Sequence, residues 1–527
     1  MLSYRNILIS IFFAIYIILG IYLSITSGIS HDQYHEQLNW SMNFDVIKSI
    51  FGDTGDYQNL LNYKDKYHGI AFHYISQPIQ YLSYNFIGEL NQVNLEGAYY
   101  LSRHSSIFLF FCISGIFFYF LCLKISNNEN FSLLSTIIYL FYPYLFGHAQ
   151  INGKDIPFLT LWIISTYFLF IIIENFYFEK KNFVKNILLL SFLTAFLISI
   201  RITGILILLE YLIALLILLN IKNINVIKFI LENYLILLTF TFSLIFCIYL
   251  LNPIFWLNPL EFFNSIIWMS KYYNDICTLT LGKCMSSLNL PPSYFFIWFL
   301  FKLPIFILIG LFIYPLIEKK IFNNDIKTIY YGTFSFTVLL IIFIFIIKNV
   351  ALYDEIRHIM FLLPFIFLIA LYNIFIFNKK IYYILSSFII LFFVVENISL
   401  NNYQYTWLNS LAKFTDIEKN FEIDYFGVSN KNLQKEIINF SKKNNINKNI
   451  CIYGDLYTSA YLQTKNFSCF NQYSHVDSVK IRPFFAYQNI RNIKRSKPND
   501  CDLIHLEKYN YTFYNKDIVV GKLWLCN

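Results

Sequence analysis

Long apolar blocks fill most of the first 400 positions of the chain. A helix crossing a bilayer needs about 20 mostly apolar residues to traverse about 30 Å of hydrocarbon. Eleven such blocks are present, at roughly 6–26, 105–123, 131–147, 157–174, 186–200, 203–221, 230–251, 294–316, 328–347, 359–377 and 381–397. The third and fifth are short, which predicts tilted or broken helices beside a cavity. Three polar segments between or after the blocks are large: about 27–104, about 252–293 and the tail from about 398.

The pattern changes in the tail. Ile423–Ser429 reads as a strand, Asn432–Asn444 as a helix, Ile450–Gly454 as a second strand, and Leu456–Thr464 as a short helix with Asp455 at its N-cap. This predicts a membrane region over 1–400, with its first loop at 27–104, and a small C-terminal α/β domain over 401–527. No glycine-rich phosphate loop follows either strand, so the domain reads as a structural or substrate-guiding lid.

Composition agrees. Of the 527 residues, 57% are hydrophobic and only 14% charged, against roughly 25% charged in soluble proteins. A soluble globule, a disordered chain and a disulfide scaffold are all excluded. The net charge of +8 is explained by position rather than by a nucleic-acid partner. Arg5, Lys124, Lys180, Lys181, Lys185, Lys222, Lys228, Lys319, Lys320, Lys327, Lys379 and Lys380 fall in one alternating set of short connections. The positive-inside rule places that set in the cytoplasm, with the N-terminus inside, the first block a retained signal anchor and the tail outside. Cys277, Cys284, Cys451, Cys469, Cys501 and Cys526 then lie outside, where disulfides form, and a Cys277–Cys284 loop with two bridges in the tail is expected.

Charged clusters on the outside ends of the blocks carry the candidate chemistry. In the first, His31 and His35 share one helical face, and Asp32 and Glu36 the next. These residues suit a general base acting on a hydroxyl, a divalent-metal site, or simply a solvated helix. In the second, His148, Asn152, Lys154 and Asp155 crowd a tight loop before Pro157; Asp155 also suits an N-cap. Arg201 separates two apolar runs, as an anion ligand or a snorkelling side chain. Arg357 and His358 follow Tyr353, Asp354 and Glu355; Arg357 suits phosphate or a pair with Asp354. Tyr294 sits in a proline-marked helix entry and is a candidate for lining a lipid path. Carboxylates and cations gathered at one membrane surface fit an anionic-headed lipid and a hydroxyl-bearing second substrate.

The order of these segments resembles the GT-C superfamily of polyprenyl-phosphate-dependent glycosyltransferases, most closely its family-39 group of protein O-mannosyltransferases, lipid A aminoarabinose transferases and rhizobial galacturonosyltransferases. The marks are His31-Asp32 to Glu36, FGHAQINGKDIPF (146–158), RITG (201–204), the LPPSY to KLP stretch (290–304) and LYDEIRHIMFLLP (352–364). The resemblance implies a GT-C-like fold in a bacterial inner membrane and an inverting transfer of a sugar from a polyprenyl phosphate to a hydroxyl acceptor on the periplasmic side. It implies Asp32 as base, with Glu36 orienting the acceptor or helping to bind a metal. Lys154, Asp155, Arg201, Arg357 and His358 would lie around the donor phosphate, with His148, Asn152, Tyr294 and Tyr353 lining the substrates. Asp32 and Glu36 are four residues apart with a histidine beside each, a departure that leaves the base open and admits a metal held by His31 and His35. A transporter or flippase is the alternative, and would require ionisable groups at mid-membrane and an internal repeat.

Overall fold

The computed structural model describes residues 4–50, 52, 57–179, 184–269, 271, 275–322, 324–446, 450–454, 469–472, 476, 483–491 and 497–527. It is mostly helical. Among the described residues, eight helices are long and apolar enough to cross a membrane: Asn6–Thr26, Leu95–Ser126, Asp155–Tyr177, Ile202–Ile221, Val226–Leu251, Asp325–Ile347, Arg357–Phe377 and Lys379–Ser399.

Three of the eleven expected blocks do not form a single helix long enough by itself to be counted among these, though the bent pair at the third of them makes nine if it is one span. The block at 131–147 divides into Glu129–Phe141 and Pro143–Ile151. Pro143 biases Tyr142 out of the helical region, and Tyr142 has ψ 114°. The block at 186–200 is a 17-residue helix, Val184–Ile200, about 26 Å long at 1.5 Å per residue. It stops at the extended Arg201 (φ −146°, ψ 130°). The block at 294–316 bends by 118° between Ser293–Lys302 and Ile305–Phe312. There Leu303 is extended and Pro304 follows it. By contrast, Leu95–Ser126 has 32 residues, about 48 Å, longer than the hydrocarbon is thick, and Arg103 and His104 are buried in its N-terminal part.

The C-terminal part is built on a five-stranded mixed sheet. Its strands are β3 (Cys451–Gly454), β4 (Cys469–Gln472), β5 (Phe484–Asn489), β6 (Cys501–Tyr509) and β7 (Ile518–Cys526), in the order β4-β3-β5-β7-β6. An outlying hairpin pairs β1 (Cys277–Thr280) with β2 (Lys283–Ser286). Disulfides join Cys277 to Cys284 and Cys501 to Cys526, and Cys451 is also disulfide-bonded. Cys112, Cys122 and Cys247, in the apolar helices, are free thiols.

The helix expected at Asn432–Asn444 spans Ser429–Lys443, and β3 matches the second expected strand. Leu456–Thr464 and Asp455 lie outside the described residues. The strand expected at Ile423–Ser429 is instead a buried irregular loop. Asp424 (φ 41°) and Gly427 (φ 73°) are left-handed, a backbone that cannot pair as a strand. The Asp424 carboxylate accepts the N–H groups of Val428 (2.7 Å) and Ser429 (3.0 Å), which starts the next helix.

The sheet has its own small core, with Leu433, Ile437, Phe485 and Leu523 at its centre. Residues Tyr403 to Val428 belong instead to the main core of the apolar helices, together with Tyr142, Phe361 and Trp298. The tail is therefore tied into the helical region through a wide apolar contact, more than a lid resting on it.

Candidate functional site

Each charged cluster sits at a helix end because the apolar helices cannot carry it inside without a partner. The structure brings the four clusters together. Arg357 opens the helical segment Arg357–Phe377. It donates to Asp32 at 2.8 Å and pairs with Asp354 at 3.1 Å. Its guanidinium lies 5.1 Å from the Tyr353 ring and 5.2 Å from the Phe426 ring, so packing as well as charge fixes its plane. Arg103 donates to Glu36 at 2.6 Å, and Lys154 stands 4.0 Å from the other Glu36 oxygen. Arg201 donates to Asp155.

Local backbone chemistry places these groups. Asn152, rather than Asp155, caps the helix entry: its Oδ1 accepts the N–H groups of Lys154 (3.2 Å) and Asp155 (2.9 Å). Asp155 is the first helical residue, and its carboxylate is left for Arg201. Gly153 lets the Arg103–Glu36 pair approach, since a Cβ there would stand 3.0 Å from the guanidinium and 3.1 Å from Glu36. Asp354 and Glu355 are both left-handed, at φ 55° and 65°, a conformation costing about 1 kcal/mol or more per non-glycine residue. It lets adjacent carboxylates serve different partners. Asp354 faces Arg357 and Arg491, while Glu355 forms a fully buried pair with Lys302 at 2.5 Å.

Several members are partly exposed and close enough to influence one another's charge, His31, Asp32, His68, Lys154, Arg201, Tyr353 and His358, and they form the solvent-accessible part, or recess, of the cluster. The side chain of Asp32 is 49% exposed, against 7% for Arg357. Burial opposes its ionisation, but Arg357 outweighs that, with help from Lys154, and Asp32 is held well below the usual carboxylate range. Lys154 is pushed down by burial, and by Arg201 and Arg103, against the pull of Glu36 and Asp32. Arg201 is lowered to about 10, mainly by burial and by Arg357, and stays charged at neutral pH.

Not every expected residue faces the recess. His148 is buried, with Nε2 3.0 Å from the Tyr425 hydroxyl and Nδ1 3.0 Å from Asn152. Tyr294 is fully buried and donates to the Glu355 carbonyl at 3.0 Å. These side chains hold the loops in place instead of lining a path. Around His31 and His35, as elsewhere among the described residues, no three His, Cys, Asp or Glu side chains converge as a metal site. Asp32 and Glu36 are each engaged by an arginine.

Other residues of the site were not anticipated. Arg103 had a signal, as a charge leading into a long apolar run. His68 had none, yet it lies close enough to feel Lys154, Arg201 and Asp32. Tyr425, Phe426 and Arg491 come from the tail. The backbone N–H of His31 donates to the Phe426 carbonyl at 3.1 Å, and Arg491 reaches Asp354. No family model and no curated protein matches the chain.

Proposed function

We propose that the recess is the active site of an inverting glycosyltransferase that moves a sugar from a polyprenyl-phosphate donor to a hydroxyl acceptor. The observation that carries this reading is the arrangement around Asp32. An accessible ionised carboxylate is held by Arg357, with Lys154 and Arg201 partly exposed nearby. Arg357, Lys154 and Arg201 lie at the ends of helices able to span a membrane, and Asp32 follows the end of another, Asn6–Thr26, where a lipid-linked phosphate would be presented.

The chemistry follows from these positions. The acceptor oxygen attacks the anomeric carbon as its proton passes to Asp32. The bond from that carbon to the phosphate oxygen breaks, and the polyprenyl phosphate leaves with the electron pair. Lys154, Arg201 and Arg357 stabilise the charge growing on that oxygen. The pairing with Arg357 makes free Asp32 a weak base. A donor phosphate sharing Arg357 adds negative charge beside Asp32 and raises its proton affinity, so base strength is coupled to donor binding. Glu36, bound by Arg103, orients the acceptor side.

In this reading the recess faces the periplasm of a bacterial inner membrane, and the N-terminus is cytoplasmic. The disulfides Cys277–Cys284 and Cys501–Cys526 suit an oxidising compartment, which supports that sidedness. The test is reconstitution of the full chain with a panel of polyprenyl-phosphate sugars and hydroxyl acceptors. Release of polyprenyl phosphate with transfer in the parent protein, and none in Asp32→Asn, is expected. Undiminished turnover in that variant eliminates Asp32 as the base.

A further inference from the structure

A second site is suggested by a helix that turns its apolar side outward. Ala71–Asn91 is a 21-residue helix. Its buried face includes His73, Ser76, Gln80 and Asn91. Its exposed face carries Tyr81 (71%), Leu82 (86%), Phe86 (66%) and Leu90 (44%). Ala71, Phe72 and Ile87 are buried as well, and Asn85 and Glu89 are exposed beside the strip, yet Tyr81, Leu82, Phe86 and Leu90 leave a row of large apolar side chains with nothing of the described chain covering it. The height of the helix is set by its C-terminal end. Asn91 donates to the carbonyl of Ile25 at 3.0 Å, and Ile87 and Val93 pack with Ile25 and Ile29. Ile25 is in the last turn of the first apolar helix, so the exposed strip lies at a membrane surface.

A groove of about 240 Å³ begins where the strip ends. Leu90, Asn91, Gln92 and Val93 form one wall, and the Ser429–Lys443 helix supplies the other, with Lys431, Gln434, Lys435, Ile438, Asn439 and Lys442. Lys431, Lys435 and Lys442 recur at helical spacing on one face. Lys431 is buried, and its ammonium is held by the carbonyls of Thr26 (2.7 Å) and Ser27 (2.9 Å) and by Asn91 (2.8 Å). All three are neutral acceptors, and burial, with Lys435 nearby, pushes Lys431 well below the ordinary lysine value, so the positive charge offered by the groove is that of Lys435 and Lys442. Lys435 and Lys442 are exposed. Among the described residues, no acid lines the groove; Glu89 and Glu436, adjacent to lining residues in sequence, are not part of its wall.

We propose that Ala71–Asn91 lies in the plane of the membrane and that this groove holds the headgroup of an anionic phospholipid. The acyl chains of that lipid lie along Leu90, Phe86 and Leu82. The apolar strip and the acid-free lysine face are separate observations that meet at Leu90, and together they select an amphiphile with a negative head. The inference does not depend on the glycosyltransferase reading.

The test uses the full chain in neutral detergent, titrated with phosphatidylglycerol and with phosphatidylcholine and read by native mass spectrometry. Phosphatidylglycerol is expected to bind more tightly. Lys435→Gln with Lys442→Gln should weaken it roughly tenfold or more and leave phosphatidylcholine unchanged. Equal binding of the two lipids, or no loss in the double variant, overturns the site. Both lysines are exposed, so folding is preserved. Independently, Leu82→Trp in nanodiscs should show added fluorescence quenching by brominated lipid. No added quenching overturns the in-plane helix.

Discussion

Arg357 and Asp32 are 325 residues apart in the chain and are joined by a 2.8 Å hydrogen bond. The pair has two consequences. It favours ionised Asp32, and in the proposed transfer it places a cation where the departing phosphate would need one. Replacing Asp32 by Asn removes the proton acceptor and also a negative charge that competes with the donor for Arg357. Turnover should fall by roughly 10²–10⁴-fold, while the apparent affinity for the donor is unchanged or improved. Single-turnover kinetics with donor titration separates the two effects, and a raised donor KM contradicts this assignment.

Lys154 gives the site a basic limit. Burial and neighbouring arginines lower its pKa from the ordinary lysine value of 10.5. A lysine is positive below its pKa, so donor binding should weaken as pH rises through that lowered value. Arginine remains charged there. Lys154→Arg should therefore flatten the alkaline fall in donor binding. Binding isotherms of inorganic phosphate or a polyprenyl phosphate between pH 7 and 10 decide it, and an identical alkaline limb in both proteins removes Lys154 from the phosphate site.

The sequence makes much of this assembly readable because apolar runs and misplaced charges are local signals. Arg201 and Lys154 break the charge pattern of the short loops, and both border the recess. Asp32 and Glu36 are separated by one helical turn, and both meet arginines. What is not readable depends on tertiary position. Nothing near Phe426 marks it as a platform for Arg357, because a phenylalanine in this chain is most simply a core residue. The period-2 reading of Ile423–Ser429 fails because Asp424 and Gly427 take left-handed backbone to start a helix and reach the site. Likewise, the helix breaks at Tyr142 and Leu303 depend on the single prolines that follow them.

Gly427 is where the tail passes beneath the first loop. Its φ of 73° is open to glycine, and a Cβ there would stand 2.1 Å from Nε2 of His31. Gly427→Ala should destabilise the protein by about 1–3 kcal/mol, from the left-handed backbone and the displaced histidine. Thermal unfolding of the purified protein should show a lowered midpoint. Activity should fall further than stability explains, because His31 and Asp32 move together. An unchanged midpoint argues that the two segments are not in this contact.

Glu355 and Lys302 supply the sharpest stability test. Both side chains are fully buried, 2.5 Å apart, and Lys302 also donates to the Trp407 carbonyl at 2.9 Å. Burial raises Glu355 to about 7, against the pull of Lys302. A carboxyl with a folded pKa above its ordinary 4.5 binds more protons when folded than when unfolded. Its contribution therefore makes stability decline as pH rises between about 4.5 and 7. Lys302→Met leaves a buried carboxyl without its cation and should cost about 3–5 kcal/mol. The remaining Glu355 should then favour its proton still more, which extends the declining window upward. Adding Glu355→Gln to Lys302→Met removes the uncompensated charge and should recover a large part of the loss, along with most of the pH dependence. The same stability in the single and double variants shows that Lys302 acts through its packing against the Tyr144 ring, 4.4 Å from its ammonium, rather than through the ion pair.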